Sequence, residues 1–157
     1  MTTVLSDSTS SELSTTVPTG AVRRVLIANR GEIALRIIRA AHDLGIKAVA
    51  VYTRADSDAD FVELADDAWL LDGSGAGETY LDIDKILALA KRSGADAIHP
   101  GYGYMAENAQ FAQAVIDAGL IWVGPPPAAI ELLGDKSGAR AVAEAVDAPG
   151  APGSHGG

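Results

Sequence analysis

The chain alternates short apolar runs with segments of helical periodicity, and three of the helical segments end on a glycine close to the next apolar run. These glycines are Gly45, Gly94 and Gly119. Glycine is favoured just after a helix because it easily adopts the left-handed conformation that closes the last turn. Short apolar strands that alternate with helices are typical of a parallel sheet covered on both faces. The pattern therefore predicts an α/β fold with a Rossmann-like, doubly wound parallel sheet.

The same pattern predicts the order of the elements. We expect parallel strands in one sheet over residues 23–28, 47–52, 97–99 and 121–123, and a weaker strand over residues 67–71. We expect helices over residues 32–44, 81–93, 109–118, 126–134 and about 135–146. In the first of these helices, Ile33, Ile37, Ala41 and Leu44 recur at helical spacing.

Composition divides the chain into three parts. Residues 1–21 are rich in serine and threonine and lack a sustained apolar period, so we expect a disordered N-terminal tail. Residues 22–134 carry the alternating pattern and form the α/β domain. Residues 135–157 begin with a helical pattern and end in a loop rich in proline and glycine. We expect this last part to be a linker that leads to a further domain.

Charge and cysteine content exclude several classes of function. The net charge is -9 and the pI is about 4.6, which argues against nucleic acid or an anionic membrane as a partner. The sequence contains no cysteine, so disulfides, thiolate nucleophiles and cysteine-based metal sites are excluded. No apolar run approaches the roughly 20 residues of a membrane span. A cytoplasmic protein is the expectation that follows.

Two unusual loops follow predicted strands, at the sheet edge where ligands bind in such folds. One is "ANRGE" at residues 28–32, and the other lies within "AIHPGYGYMAEN" at residues 97–108. Gly101 and Gly103 would allow a ligand to approach the backbone closely. Tyr102 and Tyr104 could stack on a flat ligand or cover the core, and Glu107 is expected in the first turn of the next helix. A ligand-binding loop and a tight strand-to-helix turn both remain open. Neither loop has the glycine pattern of a dinucleotide or P-loop site.

Charged residues outside these loops also have two interpretations each. Lys136, at a predicted helix start, could contact an anion such as phosphate or remain a solvated surface lysine. Arg36, Arg39 and Asp43 share one helix face, which could be a subunit contact or a solvated face with an Arg39–Asp43 ion pair. His42 has no partner identifiable from the sequence and is expected at the surface. The sequence indicates no Ser/His/Asp arrangement and no cluster of metal ligands.

Three long motifs carry a family resemblance. They are "VLIANRGEIALRIIRAAHDLGIKAVAVYTRADSDADFVELAD", "AIHPGYGYMAENAQFA" and "GPPPAAIELLGDKSGAR", in this order. Together they resemble the N-terminal domain of biotin carboxylases, as found in acetyl- and propionyl-CoA carboxylases and in pyruvate carboxylase. The resemblance covers about residues 23–157. It implies the pre-ATP-grasp domain of an enzyme that uses MgATP and bicarbonate to carboxylate biotin through carboxyphosphate.

The resemblance implies roles for single residues. Tyr102 and Gly103 match positions that line the pocket for the biotin ureido ring, and Glu107 matches a glutamate close to it. Lys136 matches a lysine that contacts the bound nucleotide. The chain departs mildly from the family where residues 104–106 read Tyr-Met-Ala instead of Phe-Leu-Ser. A larger departure is Gly138, which puts a glycine inside a helix start at a cost of about 1 kcal/mol relative to alanine.

The resemblance also implies partners and an absence of activity in isolation. Arg36, Arg39 and Asp43 match a helix face that contributes to a homodimer. ATP, Mg²⁺ and biotin belong to the complete enzyme, whose ATP-grasp domain would follow this chain and hold the metal and the catalytic base. No catalytic residue or metal ligand is expected within these 157 residues. The implied partners are a biotin carboxyl carrier domain and a carboxyltransferase subunit. The acyl substrate is not indicated, because it binds a different domain.

Two alternatives remain open beside the enzyme. The same fold could serve as a stand-alone nucleotide-binding or regulatory module, or as a protein-interaction module that docks through the Arg36 face. Tight nucleotide binding by the chain alone would favour the first, and a stable complex without nucleotide would favour the second.

Overall fold

A computed structural model of the chain describes residues 21–134 and 136–148, without the side chains of Lys136, Ser137 and Ala141. Its strands are β1 (Arg24–Ile27), β2 (Lys47–Tyr52), β3 (Asp67–Leu70), β4 (Ala97–His99) and β5 (Ile121–Trp122). Its α-helices are α1 (Gly31–Asp43), α2 (Asp60–Leu64), α3 (Ile83–Ser93), α4 (Ala109–Asp117), α5 (Pro127–Gly134) and α6 (Lys136–Ala145). The predicted disordered tail and the terminal loop at 149–157 lie outside the described residues, apart from residue 21.

All five strands run parallel in one sheet, in the order β3-β2-β1-β4-β5. The prediction of a doubly wound parallel sheet is therefore confirmed. The chain extends the sheet in one direction from β1 to β3 and then returns to add β4 on the other side of β1. In sheets of this kind ligands bind in a crevice at the carboxyl ends of the two neighbouring strands between which the strand order reverses. Here those strands are β1 and β4.

Alternate strand residues face two separate cores, one on each side of the sheet. Leu26 and Ile98 belong to the core covered by α3, α4 and α5, and Ile27 belongs to the core covered by α1 and α2. Each is completely or almost completely removed from solvent. Burying a side chain of this size stabilises the fold by about 1.5–3 kcal/mol before the entropy cost of ordering it. The near-continuous apolar runs of the sequence reflect burial on both faces.

The three helix-closing glycines have the predicted conformation. Gly45, Gly94 and Gly119 have φ angles of 71°, 69° and 75°, all in the left-handed region. After α1, the amide of Ile46 donates to the carbonyl of Ala41 at 2.8 Å, which satisfies a helix-end carbonyl that would otherwise lack a partner.

The amino-terminal edge of the sheet contains a polar cluster that the sequence did not reveal. His42 is exposed, as expected, and its Nε2 lies 2.8 Å from Oδ2 of Asp66, a partner that the sequence did not identify. Lys47 Nζ and the amide of Ala48 also donate to Asp66, each at 2.8 Å. The hydrogen bond from Lys47 is the main cause that lowers the pKa of Asp66 below its usual range. In the described part of the chain, no helix is long and apolar enough to cross a membrane.

Candidate functional site

The two loops singled out in the sequence meet at the carboxyl ends of β1 and β4. The side chain of Asn29 joins them and is completely buried. Its Nδ2 donates to the carbonyl oxygens of Pro100 at 2.8 Å and Tyr102 at 3.0 Å, while its Oδ1 accepts the Arg30 amide at 2.8 Å. A buried amide whose groups all have partners fixes backbone geometry firmly, because breaking any of these bonds leaves a buried polar group unsatisfied. Asn29 therefore holds the β4 loop against the β1 loop.

The glycine at position 101 allows this close contact. Its φ angle is 67°, and a Cβ at this position would lie 2.7 Å from Cγ2 of Ile33. Its amide donates to Nδ1 of His99 at 3.0 Å. Nδ1 must be unprotonated to accept this bond, and burial lowers the pKa of His99, which favours the same neutral form.

Tyr102 and Gly103 form the outer part of the β4 loop. The Tyr102 side chain is exposed, and its hydroxyl donates to Oε1 of Glu32 in the first turn of α1 at 2.8 Å. This hydrogen bond raises the pKa of Tyr102. Gly103 has φ 68° and ψ -169°, a conformation essentially confined to glycine, and a Cβ there would meet no atom within 4 Å. The backbone at Gly103 therefore borders open space, as a ligand-facing position would.

Glu107 does not lie in the first turn of the next helix, so that part of the prediction is wrong. It is the last residue of a 3₁₀ turn, Tyr104–Glu107, and α4 begins two residues later. Asn108 caps α4, because its Oδ1 accepts the amide of Phe111 at 2.9 Å. Glu107 is exposed and lines a shallow depression of about 400 Å³ together with Tyr104, Ile130 and others. Tyr102 does not line this depression.

A buried network beside these loops was not predicted from the sequence. Asp56 is almost fully buried in a 3₁₀ turn after β2. Arg30 Nε donates to Oδ2 of Asp56 at 2.8 Å, its Nη2 donates to Oδ1, and the hydroxyl of Tyr80 donates to Oδ2 at 3.0 Å. The hydrogen bond from Arg30 is the main cause that lowers the pKa of Asp56, while burial raises the pKa of Tyr80. Asp56 is therefore ionised at neutral pH, and the hydroxyl of Tyr80 stays protonated.

The network reaches the β4 loop through two aromatic rings. The rings of Tyr80 and Tyr104 lie with centroids 5.5 Å apart and planes inclined by 50°. Tyr104 directly follows Gly103 and has a φ angle of 46°, which is uncommon for a residue other than glycine. Tyr104 thus contacts the buried network through the ring of Tyr80, and the residue remains 40% exposed.

The remaining candidates lie on α1 and at the start of α6. Arg36, Arg39 and Asp43 are all exposed on α1, and the structure shows no ion pair between Arg39 and Asp43. The backbone of Lys136 begins α6, but its side chain lies outside the described atoms, so its predicted contact stays a prediction. Among the residues that the structure describes, no group of three or more His, Cys, Asp or Glu side chains could hold a metal ion.

Comparison with known proteins gives consistent results. The family described as "Biotin carboxylase, N-terminal domain" matches residues 21–130. The biotin-dependent acyl-coenzyme A carboxylase alpha3 subunit of Mycobacterium leprae is 58% identical over 84% of this chain, which spans 22% of that relative. The biotin carboxylase of Halalkalibacterium halodurans is 49% identical over 84% of this chain, which spans 29% of it. The chain therefore spans less than a third of the length of these curated relatives.

A solved structure shows the same likeness in three dimensions. The biotin carboxylase domain dimer of Hydrogenobacter thermophilus 2-oxoglutarate carboxylase, solved with MgADP, ADP and bicarbonate, superposes with a TM-score of 0.80 at 45% identity. The match covers 86% of this chain and 30% of that domain.

Proposed function

The chain belongs to the biotin carboxylase N-terminal domain family, and from this we propose that it supplies the N-terminal α/β domain of an enzyme that carboxylates biotin with ATP and bicarbonate. The observation that carries the proposal is the joined edge at β1 and β4. There Asn29 fixes two loops, a Cβ on Gly103 would meet no atom within 4 Å, and the polar side chains of Tyr102 and Glu107 are exposed. Such an edge of a doubly wound sheet is suited to binding a small polar ligand.

We propose that the ureido ring of biotin binds at this loop. The ring is small and flat, with N–H donors and a carbonyl acceptor. The open backbone at Gly103 allows close approach, and the exposed ring of Tyr102 offers an apolar surface with a fixed hydroxyl. Glu107 adds a carboxylate that can accept a hydrogen bond. The residues present fit a ligand of this kind, and their task is to bind and orient it.

We propose that ATP and Mg²⁺ are held mainly by other parts of the complete enzyme. Lys136, the residue proposed to contact the nucleotide, opens α6 after the α/β domain. In the part of the chain that the structure describes, no group of three or more His, Cys, Asp or Glu side chains could hold a metal ion. When bound, MgATP would supply the phosphoryl group that activates bicarbonate.

The names of the similar proteins also support proposals about the partners of this chain. The alpha3 subunit of M. leprae is named as biotin-dependent, and the H. thermophilus domain is named as a dimer. We propose that the exposed face formed by Arg36, Arg39 and Asp43 contributes to a homodimer in the complete enzyme. A biotin carboxyl carrier domain would present biotin to the loop, and a carboxyltransferase subunit would then use the carboxylated biotin.

A domain graft tests the proposed function. Residues 21–130 of this chain replace the part of the H. halodurans enzyme that aligns with them. We expect the chimaera to release phosphate from ATP in a manner that depends on both bicarbonate and biotin. The same enzyme with the aligned part deleted is the negative control. A folded chimaera that binds MgADP but shows no biotin-dependent phosphate release would contradict the proposal.

A further inference from the structure

We propose that Asp56, held by Arg30, and Tyr80 are positioning residues that set the conformation of the β4 loop at 101–104, and through it the binding of biotin. The inference rests on the proposed function for its link to biotin. Its structural part, that a buried carboxylate after β2 controls a loop after β4, stands on contacts within this chain.

The loop has a backbone that needs support. Three of its four residues, Gly101, Gly103 and Tyr104, have positive φ angles of 67°, 68° and 46°. The two glycines adopt such angles readily, but a tyrosine does not. An unfavourable angle of this kind persists only where surrounding contacts determine it. The conformation of Tyr104 is therefore maintained from outside the loop.

Support comes from two sides. On one side, Asn29 binds the carbonyls of Pro100 and Tyr102 and fixes the beginning of the loop. On the other side, the ring of Tyr80 lies against the ring of Tyr104 and fixes its end. Tyr80 is itself almost fully buried, so its ring has little freedom to move while its hydroxyl stays bound.

Asp56 determines where Tyr80 sits. Its Oδ2 accepts both the Tyr80 hydroxyl and Arg30 Nε, and its Oδ1 accepts Arg30 Nη2. The Asp56 side chain is 9% exposed, whereas that of Arg30 is 43% exposed. A buried carboxylate bound in a forked geometry by a guanidinium has a fixed position. Arg30 occupies the position before α1, next to Asn29, so both supports of the loop involve the same short segment after β1.

Asp56→Asn tests the structural step in the 157-residue chain. The amide cannot accept from both Arg30 nitrogens, so the pair is broken while the side-chain shape is kept. We expect the amide resonances of Gly101 and Gly103 to shift in ¹⁵N–¹H spectra. Asp66→Asn is the matched control, because it also removes a carboxylate with three donors but lies at the opposite edge of the sheet. It should leave both glycine resonances in place.

The functional step is tested in the graft described above. We expect Asp56→Asn to raise the KM for free biotin by about threefold or more while the KM for ATP stays within about 1.5-fold. Asp66→Asn should change neither constant. If Asp56→Asn does not fold, Tyr80→Phe decides, because it keeps the ring and removes the hydroxyl that donates to Asp56 at 3.0 Å and lies 3.5 Å from the carbonyl of Val51. It should shift the same resonances and raise the same constant, by a smaller amount.

The outcomes separate this inference from the proposed function. An unaltered graft without biotin-dependent activity would contradict the proposed function, while the spectra of the 157-residue chain still test the structural step. An active graft in which the folded variants leave the KM for biotin unchanged would overturn the inference. Equal rises in both KM values, or glycine shifts of the same size in Asp66→Asn, would also overturn it, because both indicate a general loss of order.

Discussion

The backbone of Gly101 passes so close to the side chain of Asn29 that a Cβ built on Gly101 would lie 2.8 Å from the Asn29 amide nitrogen. The same nitrogen donates to the carbonyls on either side of Gly101, those of Pro100 and Tyr102. The asparagine therefore occupies the space that any other residue at position 101 would need. This contact means that the joined edge of β1 and β4 requires glycine at position 101, beside the side chain of Asn29.

We expect Gly101→Ala to destabilise the fold more than Gly45→Ala. Both glycines have similar positive φ angles, 67° and 71°, so both variants incur about 1–2 kcal/mol of backbone strain. At Gly45 a Cβ meets nothing within 4 Å, whereas at Gly101 it collides with Asn29 and Ile33. The collision should add about 1–3 kcal/mol. Urea unfolding of the two variants measures the difference directly, and equal losses of stability would show that the loop yields to the added methyl group.

Acidification should weaken the fold through His99. Burial places the folded-state pKa of His99 below the ordinary value of about 6.5. The unfolded chain then binds a proton at a higher pH than the folded chain, so stability is full above about pH 6.5 and falls as the pH drops towards the folded pKa. His99→Asn, which keeps an acceptor near the position of Nδ1 without titrating, should lose less stability between pH 7.5 and 5. An NMR titration midpoint for His99 at or above its ordinary value would contradict this.

Local pattern predicted most of the fold because the signals that define its elements are local. The apolar runs and helix-closing glycines at Gly45, Gly94 and Gly119 lie within a few residues of the boundaries that they mark. The predicted helix start at residue 109 is correct, with Asn108 as the cap, and the expectation for Glu107 did not agree with this boundary. The order of the strands and the meeting of the two loops at β1 and β4 were not predicted from the sequence, and they agree with the general rules for doubly wound folds.

The buried polar groups were not predictable in the same way. Asn29 binds a carbonyl 71 residues away, and Arg30 binds Asp56 across 26 residues. Nothing in the sequence next to Asp56 distinguishes it from the exposed aspartates around it, because its burial results from how three loops pack at one edge. The contact between His42 and Asp66 was not predictable for the same reason. Family resemblance led us to propose Tyr102 and Gly103 as site residues, but it did not predict the contacts that hold them.

Glu107→Gln should lower biotin carboxylation more than stability in the grafted enzyme. Glu107 is exposed, so the change removes a charge without disturbing packing. If the carboxylate contacts the biotin region as proposed, its loss should reduce kcat/KM for biotin by about tenfold, roughly the effect of one charged hydrogen bond. Glu63→Gln, an exposed change on α2, is the control. Equal activity of the two variants would show that the Glu107 carboxylate does not contribute to biotin carboxylation.

Charge reversal on α1 should weaken association of the grafted enzyme. Arg39→Glu places a negative charge on the proposed dimer face, next to Asp43, and like charges across an interface oppose binding. The 157-residue chain alone should associate weakly, because the proposed contact involves residues of other domains. Lys91→Glu, on the exposed surface of α3, changes net charge equally and is the control. Sedimentation velocity that finds a tight dimer of the chain, or equal dissociation in both variants, would contradict the proposal.

The 157-residue chain by itself should catalyse no biotin-dependent release of phosphate. Phosphoryl transfer to bicarbonate requires metal and cationic charge around the developing anion. In the described residues no metal-ligating group of three or more side chains exists, and Arg30, which follows Asn29 in the β1 loop, is paired with Asp56. Lys136 alone could add about 1.5–3 kcal/mol through one charged hydrogen bond, which corresponds to weaker than millimolar binding.

Incubation with MgATP, bicarbonate and free biotin should give phosphate at the background rate, and calorimetry should show at best millimolar affinity for ATP. Biotin-dependent phosphate release by the chain would mean that its own residues assemble the catalytic charge, and the roles proposed for Tyr102, Gly103 and Glu107 would then have to extend beyond binding.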